Sequence, residues 1–145
     1  MASTKSTQPT STDVLEFTLG ETRYCVDIGY VAEIVNTDKL TGIPNTPPHV
    51  EGVMDLRGET TKIVNLREVF DDSTDDTEDL GERIIVFKRK RGSSERIGWL
   101  ADEVQQVSKL ETNTVDTSVK GDGIAGIVRR EDDFVLWIDP TTVRV

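Results

Sequence analysis

At 145 residues and a net charge of −10, the chain is long enough to bury a real core without disulfide or metal staples, as one domain or as two small barrels sharing a core. The strongly acidic balance argues against nucleic acid as a partner, because phosphate binding draws its free energy from cations that release counterions. A single cysteine, Cys25, excludes an internal disulfide framework and a multi-thiolate metal site, and no apolar run approaches the about eighteen residues of a membrane span. Asp and Glu greatly outnumber Lys, which fits an ordinary acidic protein but leans toward one adapted to multimolar internal salt, where charge is screened over about 3 Å at 1 M.

In chain order, Met1 to Thr12 is Ser, Thr, Gln and Pro with one Lys. That composition predicts a disordered polar tail, residues 1–12, ahead of a domain at 13–145, and with no apolar signal segment a cytoplasmic location is expected. Val14 to Leu19 alternates, Gly20-Glu21 turns and Arg23 to Val26 returns, which is a hairpin with Cys25 as a small buried hydrophobe. Asp27 is placed to cap a short helix carrying Val31, Ile34 and Val35 at spacings of three and four. Leu40 to Pro44 reads as extended, and Asn45-Thr46-Pro47-Pro48 as a rigid linker, since each proline fixes its own φ and restricts the residue before it. His49 is the only histidine, and without a second one or an obvious nucleophile it is assigned to a loop.

Gly52 to Phe70 predicts a hairpin feeding a helical turn. Gly58 supplies the positive φ of a tight reversal, and Asn65-Leu66-Arg67-Glu68 reads as a capping box in which Glu68 reaches back to the cap. Arg57 sits at the reversal, where its planar group is suited to gripping carboxylates or carbonyls; the alternative is a solvated turn arginine. Asp71 to Asp79 has the charge of a calcium loop but Asp76 where the sixth-position glycine belongs, so it reads as a solvated acidic loop. Arg83 to Phe87 predicts a strand buried on both faces, and Lys88 to Arg91 a basic turn with a hairpin tip at Gly92-Ser93-Ser94 and no interleaved aromatics. Ile97 to Val104 continues through Val107 and Leu110 as one strand. Ile124 to Val128 and Phe134 to Ile138 are the last strands, and Asp139-Pro140 opens a short final helix. Many short strands separated by turns define an all-β barrel architecture.

Asp55-Leu56-Arg57-Gly58, followed by Ile63-Val64-Asn65-Leu66-Arg67 and Phe70, resembles the signature of the CheW family, the coupling proteins of chemotaxis arrays, whose motif reads N-L-R-G then P-[IV]-[IV]-D-L-R-x-x-F. Phe17-Thr18-Leu19-Gly20, Val31-Ala32-Glu33-Ile34, Asn45-Thr46-Pro47 with Gly52-Val53, and Gly98, Ala101, Asp102 and Val104 of a Gly-x-x-[VA]-D-x-V run extend the likeness. The resemblance implies two five-stranded SH3-like β-barrels on a shared hydrophobic core, with short helical turns. It also implies a non-enzymatic adaptor without cofactor or metal. Such an adaptor couples the cytoplasmic tip of chemoreceptors to the regulatory domain of the histidine kinase CheA, in arrays on the inner face of a membrane that it touches only through the receptors. It further implies Val31, Glu33, Gly52, Arg57 and Val107 as receptor or kinase contacts, and Asp55, Leu56, Gly58, Asn65 and Asp102 as the structural motif.

Two departures stand out. Asp55 replaces the usual Asn with a pure acceptor able to pair with Arg57, and Glu59-Thr60-Thr61-Lys62 replaces a normally apolar run ending in Pro. The alternatives are a regulatory paralogue serving another kinase pathway and a small acidic hydrolase using two carboxylates. For the latter the sequence offers no phosphate loop, HExxH or nucleophile elbow.

Overall fold

The first strand, β1 (Ser11–Leu19), is buried on both faces, and the two cores of the fold meet on it. Leu15, Phe17 and Leu19 enter a central core, while Val14, on the other face, joins a smaller cluster with Cys25, Leu110, Val128 and Val135. The computed structural model describes residues 11–70, 81–119, 121, 123–130 and 133–143. After β1 come β2 (Thr22–Asp27), β3 (Val31–Asn36), β4 (Val50–Leu56), β5 (Glu59–Val64), one helix α1 (Leu66–Phe70), β6 (Arg83–Phe87) and β7 (Arg96–Ala101). They are followed by β8 (Glu103–Glu111), β9 (Val115–Asp116), β10 (Ile124–Arg130) and β11 (Asp133–Ile138).

These strands form a six-stranded sheet in the order β8-β1-β2-β11-β10-β9 and a five-stranded sheet in the order β3-β6-β7-β5-β4. Each holds one parallel pair, β11 with β2 and β5 with β7. The central core lies between the sheets, where Phe17 stacks on Tyr24 at 5.3 Å between ring centroids and Phe87 meets Trp99 at 4.3 Å. The all-β class and the division into two sheets agree with the sequence reading. The six-stranded sheet exceeds the five strands expected through the two-residue β9, and β1 starts at Ser11, inside the stretch assigned to the tail. Residues 1–10 and the acidic run Asp71 to Asp79 lie outside the described residues. No helix among the described residues is long and apolar enough to cross a membrane.

Four local expectations are corrected. Asp27 does cap, its Oδ1 accepting from Gly29 N–H at 2.8 Å, but the capped element is one 3-10 turn, Ile28–Tyr30. Val31–Asn36 is a strand, because β-branched Val31, Ile34 and Val35 pair against the buried β6. The run from Ile97 to Leu110 is two strands in different sheets, broken at Asp102. Asn65 Oδ1 accepts from Arg67 N–H at 2.9 Å, whereas its own N–H donates to the His49 carbonyl at 2.8 Å, so Glu68 does not close a capping box. After β11 the Asp139 side chain accepts from Thr141 N–H at 2.9 Å, and the chain makes a turn where a helix was expected.

Asp102 is the joint between the sheets. Its N–H donates to the Thr18 carbonyl at 2.7 Å, while its carboxylate takes Gly20 N–H on Oδ2 at 2.7 Å and Gly81 N–H on Oδ1 at 3.1 Å. Gly20 turns β1 into β2 in one sheet and Gly81 leads into β6 in the other. Both have positive φ, +66° and +55°, which turns their amides toward the carboxylate at no steric cost.

Candidate functional site

The β4–β5 hairpin closes through two residues, Arg57 and Gly58, with φ of +52° and +86°. Positive φ at both positions is the type I′ turn, whose twist matches that of the flanking strands. Only Gly58 was assigned that role from sequence. Arg57 is therefore held in a left-handed conformation at the tip, its side chain 64% exposed, and its Nη2 bonds to Glu33 Oε2 on β3. Strands β3 and β4 are the two edges of the five-stranded sheet, so this ion pair requires the sheet to curl until its edges approach.

Glu33 and Glu59 are each shared between guanidiniums. Arg96, on β7 and only 16% exposed, reaches Glu33 Oε2 at 3.5 Å with Nη2 and Glu59 Oε1 at 2.7 Å with Nη1, and Arg89 donates to the same Glu59 oxygen. The chain Arg57–Glu33–Arg96–Glu59–Arg89 alternates in sign and spans the sheet from β3 to the β4–β5 tip. Lys62 and Glu95 form a further pair at 2.8 Å. Arg89, by hydrogen bond and charge, holds the Glu59 carboxyl below the usual range with help from Arg96, and Glu59 in turn raises Arg89. Three cations against two carboxylates leave one excess positive charge in a protein of net charge −10.

The structure brings Glu33 and Arg57 into contact, with Val31 two residues along the same strand, half-buried opposite Phe87 and packed on the central core. Gly52 is buried with φ of +147°, and a Cβ there would lie 2.5 Å from the Thr41 carbonyl oxygen. Its bare Cα lets residue 41 bridge to Val53 through two 2.9 Å hydrogen bonds, which covers the β4 edge. Val107 stands 48% exposed on β8, in the six-stranded sheet, opposite Leu15. Leu56 enters the core and Asn65 is buried, while Asp55 is exposed across from Thr60. The local pairing expected of Asp55 with Arg57 is not formed, because Arg57 bonds across to β3.

Sequence reasoning missed Arg96 and the bridging role of Glu59. The only signal was the unusually polar Glu59–Lys62 run, and nothing local tied it to Arg96. Among the described residues no group of three or more His, Cys, Asp or Glu is placed to hold a metal ion. Chemically, the arrangement can grip carboxylates and carbonyls through guanidinium donors.

A family model for the CheW-like domain matches residues 13–144. The chemotaxis protein CheW of Thermotoga maritima is 27% identical over 131 residues, which is 88% of this chain and 83% of that protein. The chemotaxis protein CheW of Treponema pallidum is 28% identical over 132 residues, 87% of this chain and 78% of that protein. The crystal structure of the scaffolding protein TtCheW from Thermoanaerobacter tengcongensis has the same fold, with a TM-score of 0.75 at 24% identity, over 95% of this chain and 90% of that one.

Proposed function

This chain belongs to the CheW-like domain family, and on that premise we propose that it is a non-enzymatic scaffold of chemotaxis signalling. In this reading it joins the cytoplasmic tip of chemoreceptors to the regulatory domain of the histidine kinase CheA. It works in the cytoplasm, at arrays on the inner face of the membrane, and meets that membrane only through the receptors. The observation that carries the reading is Arg57, fixed on a two-residue turn and paired to Glu33 while most of its surface stays open. A guanidinium has five donors, and a partner's carboxylate or carbonyl can take those that Glu33 leaves. Val31 lies beside this pair on β3 and Val107 offers an apolar contact on the other sheet, the mixed apolar and charged composition that a protein interface uses. Gly52 supports the hairpin by admitting the residue-41 segment against the edge of β4. A carboxylate-dependent hydrolase is disfavoured on this surface, since Glu33 and Glu59 are each occupied by two guanidiniums.

The test is Arg57→Ala in a reconstituted array of receptor fragment, kinase and this protein. The exposed turn position leaves folding intact, and receptor-dependent kinase activation is expected to drop. Full activation by the folded variant overturns the assignment of Arg57.

A further inference from the structure

Away from the Glu33–Arg57 pair, a cleft of about 280 Å³ opens between the 3-10 turn before β3, the ends of β6 and β7, and the turn after β11. Its walls include Phe87, Trp99 and Val143, and Tyr30 and the cations Lys88, Arg89 and Lys90 also line it. We propose that this cleft binds a segment of a partner polypeptide carrying one large apolar side chain flanked by carboxylates. The inference is independent of the receptor and kinase reading.

Three observations commit the occupant. The volume is at the small end of the about 300–1,000 Å³ range of ligand pockets, and it has room for a single large side chain. The deep walls are buried, with Phe87 and Trp99 in ring contact at 4.3 Å, so the slot is preformed and costs little ordering when filled. The charge at the cleft is sorted as well. Arg89 is committed to Glu59 and Glu95 to Lys62, which leaves Lys88 and Lys90, both exposed, without an ion-pair partner among the described residues. On a chain of net charge −10, an acidic segment is repelled from most of the surface and meets cations beside an apolar slot here.

The probe is an acetylated and amidated pentapeptide, Glu-Asp-Phe-Asp-Glu, titrated into the isotope-labelled 145-residue chain and followed by amide and indole N–H chemical shifts. Saturable shifts at the Trp99 indole and at residues 88–97 are expected. Replacing the peptide's Phe by Gly should weaken binding about tenfold or more, since a buried aromatic is worth more than the 1.4 kcal/mol that a factor of ten represents. Reversing charge in the Lys88→Glu, Lys90→Glu double variant should also weaken it about tenfold, with both positions exposed enough to leave folding unchanged. The proposal is overturned by an absence of saturation at millimolar peptide, by shifts confined to other surfaces, or by equal affinity for the Gly peptide, which would mean charge attraction alone. Binding to phosphatidylglycerol vesicles with no response to the peptide overturns it too, and assigns the cations to lipid.

Discussion

Replacing Asp102 by Ala removes the acceptor that ties a turn of one sheet to a turn of the other, and the cost can be worked from its partners. Two hydrogen bonds to an ionised acceptor are lost, from Gly20 N–H at 2.7 Å and from Gly81 N–H at 3.1 Å. Bonds to a charged group contribute about 1.5–3 kcal/mol each, but the two sites differ in what replaces the acceptor. Gly20 is exposed, so water restores most of its bond, whereas Gly81 is buried and its N–H is left to bear the desolvation cost. The sum is about 2–4 kcal/mol. For a domain of this size each kcal/mol lowers Tm by about 2–4 °C, so Asp102→Ala should melt about 5–15 °C below the parent. Asp102→Asn keeps one acceptor oxygen and should fall between the two. Urea titration fixes the free energy, and hydrogen exchange at the Gly20 and Gly81 amides reports the local opening. An Asp102→Ala variant within about 0.5 kcal/mol of the parent, the range of ordinary surface changes, refutes the idea that this carboxylate joins the sheets.

Other expectations follow from single contacts. In Gly98→Ala the new Cβ would sit 2.5 Å from Ile84 Cγ2, and Ile84 is β-branched and fully buried, so overpacking of about 1–3 kcal/mol should appear as a lowered Tm; an unchanged melt refutes it. Burial, and then the Glu16 carboxylate, push the Cys25 thiol up to about 12 from its ordinary value of 9.0. The folded pKa lies above the unfolded one, so this contribution is complete below pH 9 and is lost as pH rises toward 12, at up to about 1.4 kcal/mol per pH unit. Urea stabilities measured across that range should fall for the parent and stay flatter in Cys25→Ala, and equal slopes refute the assignment. Multimolar KCl should raise Tm, because screening removes the mutual repulsion of a chain at −10, and a melt indifferent to KCl removes salt adaptation as the cause of the acidity.

What the sequence made legible was whatever a short window decides. The reversal at Arg57-Gly58, the cap at Asn65 and the doubly buried β6 each announce themselves within a few residues. Val31–Asn36 did not, because its apolar residues at 31, 34 and 35 fit a helical turn, while the inward face of the strand, 31, 33 and 35, carries a glutamate in its middle. Pairing with β6 decided the matter, and β6 lies some fifty residues on, with Val31 opposite Phe87. The break at Asp102 was hidden for the same reason. Apolar residues continue on both sides of it, and the amides that require a carboxylate there lie 82 and 21 positions away in sequence. The ion-pair chain depends on the parallel pairing of β5 with β7, which sets Arg96 beside Glu59 across 37 positions. Lys88 to Arg91 were visible as a basic turn, but the apolar slot beside them needs Trp99 and Val143 from other elements.

The energetics at Arg57 set a limit on what it does for the fold. A left-handed backbone costs a residue with a Cβ about 1–2 kcal/mol, and Asn or Gly is the usual occupant of that position in a type I′ turn. Against this stands one ion pair with Glu33 on a side chain 64% exposed, and exposed pairs return about 0–1 kcal/mol. The local balance is zero or unfavourable, so stability alone gives no reason for an arginine at this tip. Glu33 does something else by fixing one end of the guanidinium, since a side chain already held loses less rotamer freedom when a partner docks on its remaining donors. Arg96, on the same Glu33 oxygen and only 16% exposed, steadies that anchor from the side of the sheet. On the proposed reading of Arg57 as a partner contact, the alternating chain of charges is its mount, built on β3, β5 and β7 at the tip of the hairpin.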